Sequence, residues 1–95
     1  MLVDAAAARE RAIDDRALSK LRWRCRRGLL ENDLLLEKFF ARPEPVSESD
    51  AEGLRLLMEL GDNDLLDIFI GRQKPPPDLD RPEVRHVIEA VRAAR

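Results

Sequence analysis

The candidate site residues of this chain fall in one short stretch: Trp23, Arg24, Arg26, Arg27, Gly28 and Glu31. Trp and Arg are the residue types that dominate interface hot spots. An Arg and a Glu can each make charge-assisted hydrogen bonds to a partner, and a Gly between them leaves the backbone free to turn sharply and to be approached closely. Such a set is suited to recognition, and it offers no catalytic residue. The plain structural reading of Arg27-Gly28-Leu29-Leu30-Glu31 is a helix corner, with Glu31 in the first turn of the following helix, where its charge meets the helix dipole. The remaining candidates are isolated. One Cys (Cys25) and one His (His86) cannot build a zinc site from this chain alone, and a single Cys forms no internal disulfide. Four Gly in the whole chain leave no Gly-rich phosphate loop.

The elements that must position these residues read as helices with short breaks. A first helix is expected from about Asp14 to Arg26, ending at Gly28 as a C-terminal cap. Within it Leu18, Leu21 and Cys25 share the buried face, which makes Cys25 a small core residue. Trp23 falls nearly opposite, among Arg16, Lys20 and Arg27, and is either packed by a neighbouring helix or offered to a partner. A second helix runs from Leu30 to Ala41 and is closed by Pro43 and Pro45. Its apolar residues form more than one stripe (Leu29, Leu36 and Phe40; Leu30 and Leu34; Leu35 and Phe39), so it is either the centre of the bundle or carries an exposed patch.

Ser47 opens a third helix that Gly61 closes, with Ala51, Leu54, Leu57 and Met58 on its inner face. Asp62 or Asn63 can cap a fourth, ending near Gly71. Lys74-Pro75-Pro76-Pro77 reads as a stiff extended linker. Asp80 then caps a fifth helix with Pro82 in its first turn, and Val84, Val87, Ile88 and Val91 fall on one face. His86 lies off that stripe and reads as solvated. Strand alternation is nearly absent. The expectation is an all-α protein, a compact five-helix bundle over 14–95 preceded by a flexible extension over 1–13.

At 95 residues the chain has room for one domain and none for a cofactor domain plus a substrate domain. With 38% charged and 44% apolar residues it has the balance of a small soluble globule. No run is long enough to span a bilayer, and the opening residues, with Asp4 and Glu10, resemble neither a secretory signal nor a mitochondrial presequence. A reduced, cytoplasmic setting is expected. The net charge of −2 conceals an asymmetry. Six cations and no acid lie between Arg16 and Arg27, whereas eight acids against the single cation Arg55 lie between Glu44 and Asp67. That patterning points to partner recognition.

The longer string Trp23-Arg24-Cys25-Arg26-Arg27-Gly28-Leu29-Leu30-Glu31-Asn32-Asp33, followed by Phe39-Phe40, resembles the signature of the SdhE-type family. These are small flavinylation or assembly factors for succinate dehydrogenase and fumarate reductase, marked by an Arg-Gly-x-x-Glu motif after a Trp and a basic helix. A second block, Leu57 to Leu66 with its Asp62-Asn63-Asp64-Leu65 element and then Lys74-Pro75, is also similar to the family. Ile68 stands where many members have a Trp, and Gln73-Lys74-Pro75 replaces a common Gly-Lys-Pro. The resemblance implies a five-helix bundle that is no enzyme and binds no cofactor stably. It also implies a monomer that binds the flavoprotein subunit of the dehydrogenase or reductase and promotes covalent FAD attachment to a His of that subunit, the FAD belonging to the client. Carried over by position, Arg27, Gly28 and Glu31 would meet the flavoprotein near the flavin linkage, with Trp23, Arg24 and Arg26 flanking. Two other readings stand beside it: an antitoxin-like protein that sequesters a protein partner, and a small nucleic-acid-binding helical protein, which the acidic net charge disfavours.

Overall fold

Asp14 sets the first boundary of the bundle. A computed structural model describes residues 10–26 and 28–94, and in it the Asp14 carboxylate accepts from the Ala17 N–H at 2.7 Å, capping helix α1, Asp15–Arg24. The helix stops short of Gly28. Its last turn tightens as Cys25 N–H bonds the Leu21 carbonyl at 3.0 Å and Arg26 N–H bonds that of Trp23 at 3.2 Å. Helix α2, Leu30–Phe40, begins without a side-chain cap, but Glu31 and Asp33 place acid in its first turn. Helix α3, Glu48–Leu57, opens with the full capping box that Ser47 and Asp50 can make: Ser47 Oγ accepts from Asp50 N–H at 3.0 Å, and Asp50 Oδ2 from Ser47 N–H at 3.2 Å.

Helix α4 spans Asp62–Phe69, and its N-cap is Gly61, not Asp62 or Asn63. Both residues stand inside the first turn, where the acids Asp62 and Asp64 interact favourably with the helix dipole without occupying the cap. Gly71, with φ 87°, turns the chain out of α4 in the left-handed region, and Arg72 and Gln73 N–H groups reach back to the Asp67 carbonyl. The Pro-rich segment is only partly extended. It closes into a 3₁₀ turn, Pro77–Leu79, that buries Leu79. Helix α5, Pro82–Ala94, starts one residue later than an Asp80 cap would require. Asp80 instead takes the Arg85 guanidinium at 2.7 Å.

The core forms where α3 and α5 meet. Leu54 and Leu57 on one side and Val84, Val87 and Val91 on the other are fully buried. The approach is close enough that a Cβ built on Gly53 would lie 2.6 Å from the Glu83 carbonyl oxygen and 2.9 Å from Val87 Cγ2. Helix α2 adds Leu36 and Phe39, α4 adds Leu65, Ile68 and Phe69, and α1 contributes Leu21 and Cys25. Arg92 of α5 closes the C-terminal end of α4, donating to the carbonyls of Ile68 (2.6 Å) and Phe69 (3.0 Å) that the helix leaves open. In the loop between α2 and α3, Arg42 lies 3.9 Å over the Phe39 ring and donates to the Phe39 carbonyl. It also stands 3.8 Å from the buried Asp50. The mostly exposed His86 comes to 3.5 Å of the same carboxylate.

Residues 11–13, placed by sequence in the flexible extension, pair with the entry to α3. Ile13 N–H bonds the Val46 carbonyl at 3.0 Å and Glu48 N–H that of Arg11 at 2.9 Å. Residues 1–9 of that extension lie outside the described residues.

Gly53→Ala tests the α3–α5 contact. Alanine improves helix propensity by about 1 kcal/mol, yet its methyl would press on backbone that cannot swing aside. Overpacking of this kind costs about 1–3 kcal/mol, so a lower Tm by circular dichroism is expected. A raised Tm would contradict the close approach.

Candidate recognition surface

At 100° per residue, Ser19, Arg22 and Trp23 fall on one side of α1, with Arg26 just past its end, and Leu30, Asp33, Leu34 and Glu37 fall on one side of α2. The two rows face each other across an open groove of about 450 Å³, floored by Cys25, Leu36 and Phe40. Arg22 reaches over one end, its guanidinium 5.5 Å from the centre of the Phe40 ring. Three large apolar side chains remain in solvent along the groove: Trp23 is 76% exposed, Leu30 63% and Leu34 48%. These are the only exposed large apolar side chains among the described residues. Of the two alternatives for the second helix, the centre of the bundle falls instead to α3 and α5, and α2 carries an exposed apolar patch. Leu36 and Phe39 go to the core while Leu30 and Leu34 form a patch.

The corner between the helices is pinned from below. Asn32, fully buried in the first turn of α2, donates from Nδ2 to the Asp62 carbonyl at 2.9 Å, tying the start of α2 to the start of α4. Its Oδ1 is buried without a hydrogen-bond partner, a local cost of the joint. Gly28 sits above, exposed, and a Cβ there would meet only Asp62 Oδ2 at 3.7 Å. That is ordinary contact, so the space within the fold does not demand glycine.

The expected site residues divide. Trp23 and Arg26 line the groove. Gly28 and Glu31 are exposed at the corner beside it. Arg24 points away to the opposite side of α1, where it shares a smaller hollow of about 190 Å³ with Lys20, Arg55 and Glu48. Arg27 lies outside the described residues. Sequence reasoning missed Arg22, Asp33, Glu37 and Asn32. The first three carried a usable signal, the 19/22/23/26 and 30/33/34/37 spacing. Asn32 carried none, because nothing local shows that α4 arrives beneath it. Among the described residues no cluster of His, Cys, Asp and Glu is arranged to hold a metal ion, and no helix is long and apolar enough to cross a membrane.

A family model described as flavinator of succinate dehydrogenase matches residues 19–94, which include both helices of the groove and the corner between them. The chain belongs to this family. Similar curated proteins carry one name, FAD assembly factor SdhE. That of Ralstonia nicotianae is 49% identical over 81 residues, covering 84% of this chain and 85% of the relative. Its counterpart in Legionella pneumophila is 37% identical over 68 residues, 70% of this chain and 86% of its own. The Pseudomonas aeruginosa protein is 34% identical over 79 residues, 82% and 94% respectively. No solved structure matches significantly. The family match begins at Ser19 and so leaves out the first turn of α1 and the pairing of residues 11–13.

The exposure of Trp23 gives a direct optical expectation. As the only Trp, it should emit with the red-shifted maximum of a hydrated indole and be readily quenched by acrylamide. Trp23→Ala should change stability by no more than about 0.5 kcal/mol, as for other surface positions. A blue-shifted, quencher-resistant emission would mean that the ring is packed.

Proposed function

We propose that this chain is an FAD assembly factor that binds the flavoprotein subunit of succinate dehydrogenase, or of the related fumarate reductase, and promotes covalent attachment of FAD to that subunit. The observation that carries the reading is family membership across residues 19–94, with relatives named FAD assembly factor. The geometry supports it. The exposed apolar side chains gather beside the Gly28–Glu31 corner, in the arrangement of an anchor surrounded by cations. In this reading the chain works as a binding partner and not as an enzyme. FAD is assigned to the client: the sequence carries no dinucleotide fingerprint, and the groove of the described residues is open.

Forming the flavin linkage requires the flavin and the acceptor side chain of the client to be held in a reactive geometry. Positioning of this kind can remove several kcal/mol from a barrier, up to about 7–11 kcal/mol in well-oriented cases. A small rigid bundle docked on the client can supply part of that by fixing the client's conformation. Glu31, exposed in the first turn of α2, is free to accept charge-assisted hydrogen bonds from the client. Gly28 presents backbone without a side chain, so client atoms can come close to the corner. The nearby cations Arg22 and Arg26 supply favourable charge for an acidic client surface.

Glu31→Ala should leave a folded protein, because a first-turn charge contributes only about 0.3–1 kcal/mol. Covalent flavin on the client, read as fluorescence of its band after denaturing electrophoresis, should nevertheless fall. Gly28→Arg should lower it further by filling the approach, and a melting curve on each variant separates this from unfolding. Wild-type levels of covalent flavin with both folded variants would remove the corner from the contact.

A further inference from the structure

We infer that the α1–α2 groove receives an amphipathic helix of the flavoprotein client, seated as a third helix on the two that form its walls. The inference rests on the proposed function and adds the kind of element that docks. The α2 wall is a helical row with i, i+3, i+4, i+7 spacing, Leu30/Asp33/Leu34/Glu37, and the α1 wall is the row Ser19/Arg22/Trp23, continued past the helix end by Arg26. The α2 row runs about 10 Å, two helical turns. A cleft between two helices of that length is the shape a third helix fills with its own ridge. Its volume, about 450 Å³, lies within the range of about 300–1,000 Å³ typical of ligand clefts, enough for a few large side chains.

Polarity defines the occupant further. Trp23, Leu30 and Leu34 stand in solvent, and a partner's apolar stripe would cover them. The walls carry opposite charge, Arg22 and Arg26 along the α1 side against Glu37 on α2. The complementary helix therefore has an apolar stripe with acidic residues along the edge facing α1 and basic residues along the edge facing α2. An added β-strand is a poor fit, because among the described residues the only strand-like pairing is the isolated bridge of Ala12 and Ser47, and neither residue lines this groove.

The test uses the full chain and the flavoprotein subunit before flavin attachment. A photoreactive benzoylphenylalanine replaces Leu34, and cross-linked client peptides are identified by mass spectrometry. Binding is also titrated for Leu34→Asp, for Leu30→Asp, for the pair Arg22→Glu with Arg26→Glu, and for Arg81→Glu as a distant control. Leu30 and Leu34 are exposed, and an acid at position 30 suits the start of α2, so folded variants are expected and are verified by melting.

Cross-links confined to one amphipathic helix of the client are expected. The two Leu variants and the Arg pair should each weaken binding about tenfold or more, as for central interface anchors, while the control binds like wild type. Cross-links to a strand or loop, or Leu34→Asp binding within about twofold of wild type, would overturn the groove assignment and leave the function standing. A wild-type chain that does not bind the flavoprotein at all would overturn both.

Discussion

The close contact of α3 with α5 at Gly53 is the constraint from which the rest of the bundle follows. With no side chain at position 53, the Glu83 backbone can approach to where a Cβ would sit 2.6 Å away. That proximity lets Leu54 and Leu57 pack with Val84, Val87 and Val91, all fully buried. Each large apolar side chain so buried contributes about 1.5–3 kcal/mol relative to exposure. In a chain this short, a few such residues make much of the difference between folded and unfolded. Arg92, one turn beyond the same contact, then fixes the end of α4 by satisfying its open carbonyls.

With the core made by α3, α4, α5 and the inner face of α2, α1 is left at the periphery. Leu21 and Cys25 attach it through one narrow face, helped by the partly buried Leu18. A helix held along one stripe keeps the rest of its surface in water. For α1 that surface bears Arg22, Trp23 and Arg26, and its separation from α2 leaves the groove open. The buried Asn32 ties the start of α2 to the start of α4. The recognition surface is thus attached to a rigid support without being part of the packing.

This division suits an assembly factor. Trp23, Leu30 and Leu34 lie outside the buried core, so a partner could cover them without repacking the bundle. Docking a rigid surface loses less conformational entropy than ordering a flexible one. The opposite charges on the two walls add direction as well as attraction. They favour one seating of a partner over its reverse.

Much of the fold was legible in the sequence because its signals are local. Ser47 with Asp50, Asp14 and the Val84/Val87/Ile88/Val91 stripe act through hydrogen bonds or periodicity within one helix. The motif around Arg27-Gly28-Leu29-Leu30-Glu31 likewise identified the family without any coordinates. Other positions depended on neighbours distant in the chain. Whether Trp23 was packed or offered, that Arg24 leaves the groove while Arg22 joins it, and that Asn32 reaches Asp62 were decided by how α1, α2 and α4 are set against one another. The need for glycine at position 53 is likewise set by α5, whose Glu83 carbonyl lies where a Cβ would be 2.6 Å away. A one-dimensional pattern records which face of a helix is apolar, but the partner of that face is chosen by the packing of the whole chain.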